Sequence, residues 1–106
     1  MQLPDTIASF FAIGNGADPA GLRDCFTADA VVQDERQTHT GIAAIEVWLA
    51  DARAASEWRA EPFGIAGDAD HPVVQVHLTG SFPGSPVTLA YRFAMVDGRI
   101  AALEIR

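Results

Sequence analysis

The chain of 106 residues is long enough for one domain, and an apolar content of 49% predicts a packed core. Its formal net charge is −7, from fourteen acidic side chains and seven basic ones that are all arginine, which excludes a basic nucleic-acid-binding surface. Only one cysteine is present, no apolar run approaches the length of a membrane span, and no signal peptide is recognisable, so we expect a cytoplasmic protein without disulfides.

Three helices are predicted in the first half of the chain. Pro4 suits the first position of a helix, and apolar residues then recur with helical spacing, which predicts a helix at residues 4–14. Asp18 followed by a proline is typical of a helix start and predicts a second helix at residues 18–26. A third apolar stripe with helical spacing predicts a helix at residues 41–54.

The middle of the chain is predicted to supply two strands, one on each side of the third helix. Residues 30–34 have the composition of a short strand, whereas the polar residues 35–40 are expected to form a loop. Residues 58–66 are expected to form a strand in which Pro62 lies at an edge or a bulge, because proline cannot donate a ladder hydrogen bond.

The last third of the chain, residues 71–106, is predicted to form three antiparallel strands. The final two runs of apolar residues are separated by Asp97-Gly98, the strongest short signal for a tight hairpin, since both central residues of the favoured turn need positive φ. Helices come first and antiparallel strands last, which predicts an α+β fold with the helices on one face of the sheet.

Three segments carry a resemblance to a known family: residues 26–32 (FTADAVV), 41–45 (GIAAI) and 97–100 (DGRI). Their order and spacing resemble the nuclear transport factor 2-like superfamily, and within it the SnoaL-like group, which includes ketosteroid isomerase and polyketide cyclases. The resemblance covers nearly the whole chain and implies one SnoaL-like domain, residues 1–106. It also implies a cone-shaped α+β barrel, in which three N-terminal helices pack on a curved, mostly antiparallel sheet around an apolar cavity, and frequent dimers.

The resemblance implies a role for Asp34. In ketosteroid isomerase a strand-borne aspartate is the general base, and Asp34 falls at the matching position. The tyrosine and the second aspartate of that enzyme's oxyanion hole fall on Phe10 and Leu89, which have no hydrogen-bond donor on their side chains. The resemblance therefore implies a base without those donors, and steroid isomerisation is not expected. The residues alone leave open that Asp34 is only a solvated carboxylate at a strand end.

His77 and Tyr91 are the candidate acids, and they are the groups available to pair with Asp34 if either reaches across the cavity. Gln75 and His77 alternate with apolar residues, as expected for polar groups in a cavity or for the wet face of a sheet. The resemblance places Val73, Gln75 and His77 on the cavity side, where His77 could carry a proton. Tyr91 could donate a hydrogen bond to a ligand, or pack in the core with its hydroxyl at the rim.

A small, mostly apolar ligand is the expected partner. No metal or cofactor is expected, since no histidine pair has ligand spacing. The side chains expected to line the cavity, with Asp34 in its wall, are Phe10, Val32, Trp48, Val73, Gln75, Leu89 and Leu103. An outward-facing apolar stripe, formed by Val74, Val76 and Leu78, predicts a homodimer through the outer face of the sheet.

Three classes of function stay open at this point. The first is a small enzyme, an isomerase or cyclase that uses Asp34 as general base. The second is a module that binds a small apolar molecule without chemistry, and the third is a dimeric interaction domain. Neither nucleic acid nor a membrane is an expected partner in any of the three.

Overall fold

The computed structural model describes all 106 residues, which form three α-helices and six β-strands. The helices are α1 (Asp5–Gly14), α2 (Leu22–Cys25) and α3 (Ile42–Ala55). The strands are β1 (Phe26–Asp34), β2 (Gln37–Thr40), β3 (Trp58–Gly67), β4 (Pro72–Gly80), β5 (Val87–Val96) and β6 (Arg99–Ile105). No helix is long and apolar enough to cross a membrane.

All six strands belong to one sheet, in the order β2-β1-β6-β5-β4-β3. Every neighbouring pair is antiparallel except β1 and β6, which run parallel. The antiparallel pairing of β4, β5 and β6 confirms the predicted meander and the α+β class. The expected barrel is wrong, because β2 and β3 are unpaired edges and the sheet stays open.

Two of the three predicted helices are confirmed, and the second is much shorter than expected. Residues 19–21 form a 3₁₀ turn, in which the Asp18 carboxylate accepts a hydrogen bond from the backbone N–H of Ala20 at 2.9 Å. α2 then makes a single turn and ends at Cys25. Phe26 already belongs to β1 and pairs with Ile100 on β6, so sheet pairing overrides the helical spacing at this point.

Tight turns join two of the strand pairs. Asp97 and Gly98 have φ angles of 51° and 77°, which confirms the predicted hairpin between β5 and β6. The expected loop at residues 35–40 is wrong, since Gln37–Thr40 forms β2. Glu35 and Arg36 turn the chain with φ angles of 53° and 65°, a conformation that neither residue type signals in a sequence.

The side of the sheet on which β4 buries its side chains was predicted the wrong way round. Val74 and Val76 have no exposed surface, and the half-buried Leu78 packs against the same core, between the sheet and the helices. Successive side chains of a strand point to opposite faces of the sheet. Assigning one of them to the wrong face therefore assigns all residues of the strand to the wrong face. The expected outward apolar stripe of Val74, Val76 and Leu78 is therefore absent from the outer face.

The ends of α1 and α3 are tied to the start of β3 by polar contacts. The Asn15 side chain makes two hydrogen bonds of 2.8 Å with the backbone of Ala60, donating to its carbonyl and accepting from its N–H. Arg53 donates to the carbonyl of Gly14, and its guanidinium lies 5.0 Å from the ring centroid of Trp58. These contacts fix the distance between the helices and the sheet at one end of the molecule.

Candidate active site

A cleft of about 1190 Å³ lies between the helices and the inner face of the sheet. It extends from the β1–β2 hairpin to the connection between β4 and β5, at residues 82–84. Helix α1 contributes Phe10 to its wall, α3 contributes Trp48, and β5 contributes Leu89 and Tyr91. Small-molecule pockets usually have volumes of about 300–1,000 Å³, so this cleft is large enough for a small organic ligand.

The wall of the cleft contains the carboxylate of Asp34, which accepts a hydrogen bond from an aromatic side chain. Asp34 is the last residue of β1 and shares a strand face with the fully buried Val32. Trp48, in the middle of α3, donates its indole N–H to Oδ2 of Asp34 at 3.1 Å. Neither His77 nor Tyr91 reaches Asp34 with a hydrogen bond, and its partner is Trp48 instead. The indole fixes one carboxylate oxygen and leaves the other, Oδ1, without a protein donor.

Tyr91 lies across the cleft floor from Asp34. Tyr91 pairs with Ile105 on β6, and Asp34 lies beside Ile105 because the preceding Gln33 pairs with Glu104. Two strand spacings, about 10 Å, therefore separate the backbones of Asp34 and Tyr91. The Tyr91 hydroxyl makes no hydrogen bond within the protein, and since no fully buried side-chain oxygen lacks a partner, it reaches the open cleft.

Burial governs the acidity of Tyr91. The side chain is only 6% exposed, and this desolvation raises the pKa of the phenol well above its ordinary value. The negative charge of Asp34 raises the pKa further. The hydroxyl therefore keeps its proton across the physiological range and is available as a hydrogen-bond donor to a ligand oxygen.

Aromatic rings form the helix side of the cleft. The ring of Phe10 is nearly parallel to that of Trp48, with an interplanar angle of 8° and centroids 6.5 Å apart, and lies 6.4 Å from that of Tyr91. Phe10 and Leu89 both line the cleft, so the two positions expected to lack oxyanion donors present only apolar surface there.

Five of the expected site residues lie elsewhere. Val32 and Leu103 belong to the closed core, with 0% and 1% of their surface exposed. Val73, Gln75 and His77 project from the opposite face of the sheet, since they alternate with the buried Val74 and Val76. His77 is exposed, so the prediction that it lines the cavity as a catalytic acid is wrong.

His39 and Gln37 lie in the cleft, and sequence reasoning did not identify them as site residues. Both belong to β2, where Gln37 pairs with Asp34 and His39 pairs with Val32. The ring centroid of His39 lies 6.0 Å from that of Trp48. Recognising residues 37–40 as a strand would have found them, because period-two alternation then places both on the face of Asp34. No group of three or more metal-ligating side chains is present in the structure.

Comparison with known proteins agrees with this architecture. Residues 7–103 match the family model of the SnoaL-like domain, whereas no curated protein matches significantly. A Sinorhizobium meliloti protein provisionally named a polyketide cyclase is 43% identical, with a TM-score of 0.94 over 98% of this chain and 95% of its own.

Two more distant structures show the fold alone. A Catenulispora acidiphila protein with a ketosteroid isomerase-like fold, solved with trimethylamine, is 21% identical, with a TM-score of 0.85 over 99% of this chain and 86% of its own. An epoxide hydrolase/cyclase-like enzyme of pyran ring formation in the polyether salinomycin is 18% identical, with a TM-score of 0.78 over 95% and 86% of the two chains.

Proposed function

Because the chain belongs to the SnoaL-like family, we propose that it is a small enzyme of the cyclase or isomerase type, with Asp34 as its general base. The observation that carries the proposal is the position of the Asp34 carboxylate in the cleft. One of its oxygens is held by Trp48 at 3.1 Å and the other is free to meet a ligand. A carboxylate placed within reach of a substrate C–H is what proton abstraction requires.

The proposed substrate is a neutral, largely apolar carbonyl compound. The walls of the cleft are aromatic and aliphatic, and the charged residues beside Asp34 in its lining are of both signs: Glu35, Asp51 and Glu104 with Arg36 and Arg106, of which Glu104 and Arg106 form an ion pair. With a net charge of −7, the protein repels anionic ligands. The provisional name of the 43% identical relative, a polyketide cyclase, supports a substrate of this class.

The proposed first step is removal of a proton from the carbon next to a ketone. The free oxygen of Asp34 takes the proton, and the electron pair of the C–H bond moves to the ketone oxygen to give an enolate. The Tyr91 hydroxyl donates a hydrogen bond to that oxygen, which stabilises the developing negative charge. If a C=C bond is conjugated with the enolate, Asp34 can return the proton to the far carbon of that bond, as in an isomerase; otherwise the enolate carbon attacks a second carbonyl carbon, as in a cyclase.

Fast steroid isomerisation is not part of the proposal. Phe10 and Leu89 supply no donors where the two oxyanion donors are expected, and losing one such donor typically lowers the rate ~10²–10³-fold. An isomerase assay with a β,γ-unsaturated ketosteroid should therefore give slow turnover at best. A rate as high as that of a dedicated isomerase would contradict this interpretation of Phe10 and Leu89.

The test of the base is hydrogen–deuterium exchange of β-tetralone in D₂O, followed by proton NMR. This neutral aromatic ketone exchanges at the carbon between its ring and its carbonyl. Asp34→Asn keeps an oxygen that can accept the Trp48 N–H but removes the base, and should lower the exchange rate ~10²–10⁴-fold. Asp51→Asn, a change of the same kind at the rim, is the matched control and should leave the rate nearly unchanged. Equal rates for the wild type and Asp34→Asn would contradict the assignment.

A non-catalytic dimeric binding domain is the second candidate. The observation that favours it is a shallow depression of about 430 Å³ on the outer face of the sheet, lined in part by the half-buried Val31, Val73, Ala94 and Ala102. If this candidate is correct, β-tetralone binds without any exchange above background, and light scattering gives a dimer mass that Val73→Glu reduces to that of a monomer.

A further inference from the structure

His39 lies beside Asp34 in the cleft and has no part in the proton abstraction proposed above. On β2, His39 pairs with Val32 of β1, and Gln37, two residues earlier, pairs with Asp34. Directly opposite residues of an antiparallel pair project from the same face, so His39 and Asp34 both face the cleft on a diagonal of about 7–8 Å. His39 also lies 6.0 Å, between ring centroids, from the Trp48 indole that holds Asp34.

Ring closure by aldol addition needs a proton at the oxygen of the second carbonyl, while the protonated Asp34 still faces the carbon from which it took its proton. When the enolate carbon bonds to the second carbonyl carbon, the C=O electron pair moves to the oxygen, and that oxygen must take up a proton. If water is then lost, the leaving hydroxyl needs a proton as well. A second group that releases protons near neutral pH, within a substrate's width of the base, is suited to this transfer, and Asp34 then releases its own proton to solvent to regenerate the base.

Neither acid expected from the sequence meets this requirement. His77 projects from the opposite face of the sheet. Tyr91 lies in the cleft, but burial and the charge of Asp34 raise the pKa of its phenol, so the hydroxyl donates a hydrogen bond and retains its proton. The remaining histidine, His71, lies outside this cleft and is exposed.

We propose that His39 is the catalytic residue that donates this second proton, an assignment that rests on the proposed function of Asp34. Imidazole is the side chain best suited to exchange protons near neutral pH. His39 is half-buried on the edge strand of the sheet, where the ring can contact a ligand in the cleft and regain a proton from solvent. The cleft thereby carries a base and an acid about 7–8 Å apart on neighbouring strands.

The test uses ortho-acetylphenylacetone, a neutral diketone that closes to a methylnaphthol by aldol addition and loss of water. Deuterium uptake next to its carbonyls measures proton abstraction, and naphthol fluorescence measures closure of the same molecule. His39→Gln should lower the rate of closure at least ~10²-fold and change the rate of deuterium uptake by less than about threefold. His77→Gln, the same substitution on the outer face, should change neither rate.

Each other result overturns the proposal in a different way. Equal loss of uptake and closure in His39→Gln, with an unchanged melting temperature, would make His39 a structural support for the base. Unchanged closure in His39→Gln would exclude it as the acid, as would a wild type that takes up deuterium but never closes the ring. Absence of deuterium uptake in the wild type refutes the proposed function itself, and this inference with it. His39→Asn provides a second variant in case His39→Gln does not fold.

Discussion

Raising the pH tests the burial of Tyr91 directly, because it is the only tyrosine of the chain. Burial raises the pKa of its phenol in the folded state, and the charge of Asp34 adds to the shift. In the unfolded chain the phenol ionises near its ordinary pKa of about 10. Folding stability from this group is therefore fully present below about pH 10 and is lost as the pH rises toward the folded-state pKa.

The magnitude follows from the linkage between proton binding and folding. Between the two pKa values the unfolded state has lost a proton that the folded state retains, so stability falls by about 1.4 kcal/mol per pH unit. At about pH 11 the wild type should have lost about 1.4 kcal/mol through this group. Tyr91→Phe lacks the ionisable group and is the control, since Cys25 and the arginines titrate equally in both proteins.

Two assays measure the effect. Tyrosinate absorbance, recorded against pH on the folded protein, should show no ionisation near the ordinary tyrosine pKa and a sharp rise only when the chain unfolds. Urea unfolding of the wild type and of Tyr91→Phe should show a difference in stability that grows with pH above about 10. Reversible ionisation of the folded protein near that pH would refute the buried environment of Tyr91, and with it the argument that its hydroxyl retains its proton.

Two further predictions concern the frame that holds the cleft open. Asn15→Ala removes both hydrogen bonds to the backbone of Ala60 and should lower the free energy of unfolding by about 1–3 kcal/mol, measured by urea denaturation; a change near zero would contradict the role of this contact. Gly80→Ala should destabilise by about 1–3 kcal/mol in the same assay, because its Cβ would lie 2.2 Å from the carbonyl oxygen of Glu57. Gly64→Ala is its matched control in the same sheet, where the nearest atoms are 3.8 Å away, and equal losses for both variants would refute the steric explanation.

Local patterns were sufficient to predict the frame of the fold. The helical spacing of apolar residues gave α1 and α3 to within a residue or two, and Asp97-Gly98 gave the last hairpin, because each signal depends only on neighbouring residues. The hairpin at Glu35 and Arg36 was missed because nothing in these two side chains favours positive φ. Its left-handed turn is imposed by the pairing of β1 with β2, which is a tertiary contact.

The candidate site was predicted only in part, for reasons specific to each residue. Asp34, Trp48 and Tyr91 lie together because strands and helices whose inner faces are apolar must pack against one another. His77 was placed on the wrong face because the family resemblance was given more weight than the alternation of side chains along β4. In that alternation Val74 and Val76 already indicated the buried face. The hydrogen bond between Trp48 and Asp34 joins a helix to the end of a strand. Because it depends on tertiary packing, no periodic pattern in the sequence predicts it.

The most direct test of the central claim, that a ligand meets Asp34 in the inner cleft, is an NMR titration of the histidine and tryptophan side chains with β-tetralone. The chain has three histidines, and only His39 lines the cleft. The ketone should shift the ring signals of His39 and the indole N–H signal of Trp48, and leave the rings of His71 and His77 unchanged. Shifts at His77 with none at His39 would place the ligand on the outer face of the sheet and contradict the account.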